Sequence, residues 1–192
     1  MGQAPPSPSW DRLYDVASTQ EGLFTTQQAA SAGYSPQLLA KYLGTGKMRR
    51  VRRGIYRLVH FPPTEHEDLV AVWLWTDQRG TFSHDTALAL HGLSDVLPAR
   101  VHVTLPIEWA HRRLRVPKGV VLYYAALKKA ESAWFGSIPL TTPARTLADC
   151  ITAHLSPDLL EQALRQAARR GLVPAAEIRR LRAAARREGR TA

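Results

Sequence analysis

Lys47-Met48-Arg49-Arg50-Val51-Arg52-Arg53-Gly54-Ile55-Tyr56-Arg57-Leu58 interleaves cations with apolar residues around one glycine. A solvated coil mixes in acids, and a basic tail lacks Val51, Ile55, Tyr56 and Leu58. The pattern predicts strands over 47–51 and 55–58, joined by a turn at Arg52-Arg53-Gly54 in which Gly54 supplies a positive φ. The flanks share the bias. No acidic side chain occurs from Gly22 to Thr64, and seven basic ones fall between Lys41 and Arg57. A folded surface of one sign faces a polyanion, and the phosphate backbone is the commonest. The same cations also serve to guard a sheet edge against strand pairing.

Toward the N-terminus, Trp10, Leu13, Val16 and Ala17 recur at helical spacing after Ser9, a candidate N-cap. Gly22 ends that helix and Leu23-Phe24 suits a short strand. Thr25 and Gln28 form the capping-box pattern of a brief second helix, stopped by Gly33. Ser35-Pro36 opens a third helix, with serine as cap and proline at the first helical position. Leu39, Tyr42 and Leu43 form its core face, while Gln37, Ala40, Lys41 and Gly44 form a slim polar one. Helix, short strand, helix, helix, hairpin is the order of a winged helix-turn-helix, whose third helix enters the major groove while the wing lies on the flanking backbone. The expected DNA-binding residues are Ser35, Gln37, Lys41, Lys47, Arg49, Arg50, Arg52 and Arg53, with Gln37 and Lys41 reaching base edges or phosphates.

Composition sets the outer limits. A chain of 192 residues with 45% hydrophobic and 22% charged residues is globular, and a net charge of +10 favours nucleic acid or another acidic partner. No apolar run reaches the roughly 18 residues of a spanning helix, so no membrane partner is expected. The single Cys150 permits no internal disulfide or cysteine metal cluster and suits a reducing cytoplasm. Residues 1–9 read as a disordered leader, since no basic segment precedes an apolar one. The winged helix is expected over 10–60, and Phe61-Pro62-Pro63-Thr64 reads as a linker. An α+β domain is then expected over 65–192. Its pattern predicts a helix at 65–77, one opening at Ser83, strands at 101–105, 120–124 and 135–140, and helices at 143–153, 157–170 and 174–187.

The chemistry-bearing residues of that second domain point away from catalysis. His84 and His91 are seven apart, which puts them about 10 Å apart along a helix, too far to share one metal. Cys150 has no neighbouring base, no phosphate loop or nucleophile elbow occurs, and no glutamate is followed two residues later by lysine as in metal-dependent nucleases. No catalytic residue, metal, cofactor or small-molecule substrate is therefore expected. Arg165, Arg169, Arg170, Arg179, Arg180, Arg182, Arg186 and Arg187 serve equally as a solvated helix face or as a docking face, and the Arg112, Arg113, Arg115 and Lys118 loop shares that ambiguity.

Ser83-His84-Asp85-Thr86-Ala87-Leu88-Ala89-Leu90-His91-Gly92-Leu93 resembles the signature of AbiEi-type antitoxins. Gly33-Tyr34-Ser35, Arg53-Gly54-Ile55-Tyr56-Arg57, Val101-His102-Val103-Thr104-Leu105-Pro106 and Thr142-Pro143-Ala144-Arg145-Thr146-Leu147-Ala148-Asp149 are similar to further family motifs, in the same order. The resemblance spans roughly residues 10–155. It implies a non-enzymatic antitoxin that binds operator DNA, represses its own operon and neutralises a nucleotidyltransferase-like toxin. Such a toxin holds magnesium with carboxylates, so Arg112, Arg113, Arg165 and Arg169 become the candidate toxin-binding residues. The alternatives are a plain winged-helix regulator with a ligand-sensing or dimerisation domain, and an enzyme centred on His84 and Asp85.

Overall fold

The computed structural model describes residues 7–188, and the chain divides into two compact units between Gln78 and Arg79. The leader expected over residues 1–9 lies outside the described residues as far as residue 6. The fold is α+β, with a winged helix-turn-helix at the N-terminus.

In the first unit α1 (Trp10–Ser18) starts at Ser9, whose hydroxyl accepts a hydrogen bond from the Arg12 amide. Gly22, at φ +81°, turns the chain into β1 (Leu23–Thr25). A Cβ there would stand 2.6 Å from the Phe61 ring, so only glycine fits. Thr25 and Gln28 form the expected capping box on α2 (Thr26–Ser31), and Ser35 caps α3 (Pro36–Gly44). The hairpin is β2 (Met48–Arg52) and β3 (Ile55–Leu58), and the antiparallel sheet runs β1-β3-β2. Leu13, Phe24, Tyr34, Leu39, Met48 and Leu58 close one core beneath it. α4 (Glu67–Trp75) packs on β1 and β3 within this same unit.

The second unit holds β4 (Thr81–Phe82), α5 (His84–Leu90), β5 (Val101–Leu105), β6 (Val120–Tyr124), β7 (Ser132–Phe135) and β8 (Ile138–Thr141). Three helices follow: α6 (Pro143–Thr152), α7 (Pro157–Arg169) and α8 (Ala175–Glu188). The sheet order is β6-β5-β4-β8-β7, with β5/β6 and β4/β8 parallel and the other pairs antiparallel. Leu88, Leu147, Ile151, Leu164, Ile178 and Leu181 tie α5 to the three C-terminal helices.

Several expectations need correction. The strand expected over 135–140 straddles a hairpin turn, and only 138–140 fall in β8: Gly136, at φ +58°, reverses the chain between β7 and β8. The wing shifts by one residue, so that Arg52 belongs to β2 and a register irregularity lies between Arg50 and Arg52. Ser83 precedes α5, but its hydroxyl makes no cap bond; it accepts from Thr104 Oγ1 at 2.8 Å and meets His84 Nδ1 at 2.8 Å. The cause is local. His84 sits at φ +51°, so the backbone enters α5 from the left-handed region rather than through an ordinary cap.

Candidate nucleic-acid interface

Helix α3 is placed by its buried side. Leu39 is in the core, Tyr34 and Tyr42 meet ring to ring at 5.7 Å, and Trp10 of α1 meets Tyr42 at 6.5 Å. That anchoring turns Gln37, Ala40 and Lys41 to the exposed side. Ser35 is exposed too, but its oxygen is engaged by the Leu38 amide at 3.2 Å, which makes it first a helix cap. Ser35→Ala is expected to lower the stability of this unit by about 1 kcal/mol, read as a fall in Tm. No change would mean that the proline start alone fixes the helix.

Lys47 leaves α3 along the Tyr42 ring, with Nζ 5.4 Å from the centroid. Arg50 and Arg53 are exposed and Arg52 is half-buried. The tip of the wing is held from outside the hairpin: the Gly54 carbonyl accepts from the Thr26 amide at 2.9 Å and from the Thr26 hydroxyl at 3.3 Å. Lys41, Lys47, Arg50, Arg52 and Arg53 form no ion pair among the described residues.

Arg49 differs from its neighbours. It donates to Glu67 Oε1 at 2.6 Å, while Glu67 Oε2 accepts from Nε of Arg57 at 2.8 Å. Arg57 is only 4% exposed and also donates to the Leu58 and Phe61 carbonyls. One carboxylate of α4 therefore neutralises a buried arginine of β3 and draws an exposed arginine of β2 toward itself. Sequence reasoning missed Glu67. The available signal was its position, among the first acids after the acid-free stretch that ends at Thr64.

The other basic candidates sit on separate elements of the second unit. Arg112 stacks over the Trp109 ring at 4.1 Å and Arg113 beside it is exposed. Arg165 and Arg169 are exposed one turn apart on α7, with Arg169 donating to Gln166 at 2.7 Å. Arg170 donates to the His91 and Gly92 carbonyls, and Arg182 pairs with Glu161 at 3.0 Å. Arg145 bridges Asp149 at 2.8 Å and Glu131 at 3.1 Å, which clasps α6 to the segment ahead of β7.

Three histidines of the second unit, His84, His91 and His102, are engaged in packing. His84 lies flat on Tyr123 at 3.6 Å, and burial pushes its pKa down to about 4. His102 Nδ1 meets the Tyr123 hydroxyl at 3.2 Å, and Asp85 lies 4.0 Å from its Nε2. His91 Nε2 meets the Thr141 carbonyl at 2.8 Å. Burial raises the pKa of the Cys150 thiol, which leaves it protonated and unreactive. Among the described residues no cluster of three or more His, Cys, Asp or Glu could hold a metal ion, and no helix is long and apolar enough to cross a membrane.

No curated protein matches this chain. The crystal structure of the RV2827C protein from Mycobacterium tuberculosis is similar in fold, with a TM-score of 0.55 at 19% identity over 97% of this chain and 77% of that one. At that identity the likeness speaks for the fold alone. Residues 11–59 match the model of a family described as "Transcriptional regulator, AbiEi antitoxin", which in general terms supports an antitoxin or DNA-binding regulator. The matched segment runs from α1 to the end of the wing, so the match to the AbiEi antitoxin and transcriptional-regulator family covers the N-terminal region of this chain.

Proposed function

We propose that this chain is a cytoplasmic antitoxin that represses its own operon, with the first unit gripping operator DNA and the second countering a nucleotidyltransferase-like toxin. The observation that carries the DNA half is the combination of a slim exposed α3 face with five cations that meet no acid among the described residues. In this reading Gln37 and Lys41 enter the major groove, while Lys47, Arg50, Arg52 and Arg53 take phosphates. Arg49 is shared with Glu67 and contributes less. With Lys41 reaching a phosphate from the groove as a fifth contact, the log–log salt slope is about −4.5, so a fourfold rise in salt should weaken binding by about 500-fold. Arg53→Ala should flatten the slope by about one, whereas Gln37→Ala should relax base preference at a cost of about 1–3 kcal/mol. Titrating operator DNA at several salt concentrations reads all three. A salt-independent affinity would sink the assignment.

The antitoxin half is supported by the family description and by the exposed arginines of the second unit. Arg112, Arg113, Arg165 and Arg169 are assigned to the acidic active-site mouth of the toxin. Co-expression with the adjacent reading frame tests this by growth and pull-down. Arg165→Glu with Arg169→Glu should release toxicity and leave operator binding unchanged; normal neutralisation by that variant would remove α7 from the toxin contact.

A further inference from the structure

Between the end of α6, the first turns of α7 and the last turns of α8 runs a groove of about 950 Å³. Its floor is aliphatic, made by Leu155, Leu160, Leu164 and Ala185. Leu160 and Leu164 belong to the helical core, so the floor is rigid before anything binds. Its size is that of a ligand site, where pockets run to roughly 300–1,000 Å³ with few polar anchors.

The rim supplies those anchors. Glu161 and Arg182 close one side as an ion pair. His154 and Arg186 are exposed, and among the described residues their side chains form no hydrogen bond or ion pair. Glu188 shares this rim but has a partner of its own, which leaves Arg186 as the unpaired charge among the described lining residues.

His154 adds a second, independent sign. It ends α6 in the left-handed region at φ +55°, with its amide on the Ile151 carbonyl and the Leu155 amide on that of Cys150. Glycine is the usual residue at such a helix end because it adopts this conformation without strain. An imidazole held there, at the mouth of a groove and with no partner, is backbone strain of the kind that gathers at ligand clamps.

We propose that this groove binds an amphipathic carboxylate, with an aliphatic or aryl chain along the leucine floor and the carboxylate at the His154 and Arg186 rim. Burial of the chain supplies the affinity, and the rim sets the sign of the head group. The groove belongs to the second unit, so its ligand is independent of the DNA-binding reading.

The test uses the full isotope-labelled chain and sodium decanoate, followed by amide chemical shifts. Saturable shifts are expected at residues 151–164 and 182–188, with the cationic decyltrimethylammonium binding at least about tenfold more weakly. Arg186→Glu should weaken decanoate about tenfold or more without lowering Tm. His154→Gly should also weaken it while raising Tm, because glycine relieves the strain and removes the imidazole from the carboxylate. No saturable binding, shifts confined to other surfaces, or equal binding of both amphiphiles would overturn the proposal. So would decanoate binding by both variants at the affinity of the parent, which would leave the groove to a polypeptide segment.

Discussion

Glu67→Gln is expected to melt the first unit at temperatures where the parent chain is folded. The substitution keeps the shape and removes the charge opposite Arg57, whose guanidinium is almost entirely buried. Breaking a buried pair from one side typically costs about 3–5 kcal/mol, because an uncompensated charge remains inside. Arg57 keeps its two carbonyl partners, so the low end, about 3 kcal/mol, applies here. For a unit of this size that is a fall in Tm of about 12 °C or more. Arg49→Ala is the control. Its guanidinium is 55% exposed, and loss of such a surface pair is worth about 0–1 kcal/mol. If Glu67→Gln proves as mild as Arg49→Ala, the pair does not hold the wing. The double replacement Arg57→Met with Glu67→Leu should recover most of the loss, since an apolar pair of similar volume is often neutral or better.

Acid should loosen the second unit over a defined window. His84 has a pKa of about 4 in the folded chain and 6.5 as its ordinary value, because burial, with its ring flat on Tyr123, and the nearby His102 and Arg145 disfavour the charged ring. Between those values the unfolded chain binds more protons than the folded one, so stability rises with pH there. The contribution is complete above about pH 6.5 and is lost as pH falls toward 4, a change of about 3 kcal/mol for 2.5 units. Burial lowers the pKa of His91 and His102 as well, so both act in the same direction. The amides of β5 and β6, followed by hydrogen exchange from pH 7 to 4, should report the loss. His84→Asn suits the left-handed backbone and cannot be protonated, so it should flatten most of the slope. A slope unchanged in that variant would move the effect to other groups.

What could be read from the sequence was what local chemistry decides. The caps at Ser9, Thr25 and Ser35 depend on residues three or fewer apart, and all three form as their patterns predict. The wing was legible because Gly54 and the alternation around it act within one hairpin. What escaped was set by distance or by unusual backbone. β4 has two residues and exists only through its neighbours β5 and β8. Nothing in the sequence announces the positive φ of His84, which removed the expected Ser83 cap. Phe61-Pro62-Pro63 looks like a boundary by composition, yet the ion pair between Arg57 and Glu67 spans it. The candidate site shows the same division: the cations were visible individually, and the carboxylate that sorts Arg49 from the rest was not.

The wing is tied down at its edges rather than along its length. Thr26 holds its tip through Gly54, Glu67 holds its base through Arg57, and Lys47 closes it by a carbonyl bond to the Val59 amide. Arg50, Arg52 and Arg53 lie between these ties and contribute little to them. Their identities can therefore drift over generations with little effect on folding. On the proposed reading such substitutions change the strength of the grip on DNA about equally for all sequences, while Thr26, Gly54, Arg57 and Glu67 stay under constant selection. The fastest-changing and slowest-changing residues should then lie side by side, within one hairpin or directly against it.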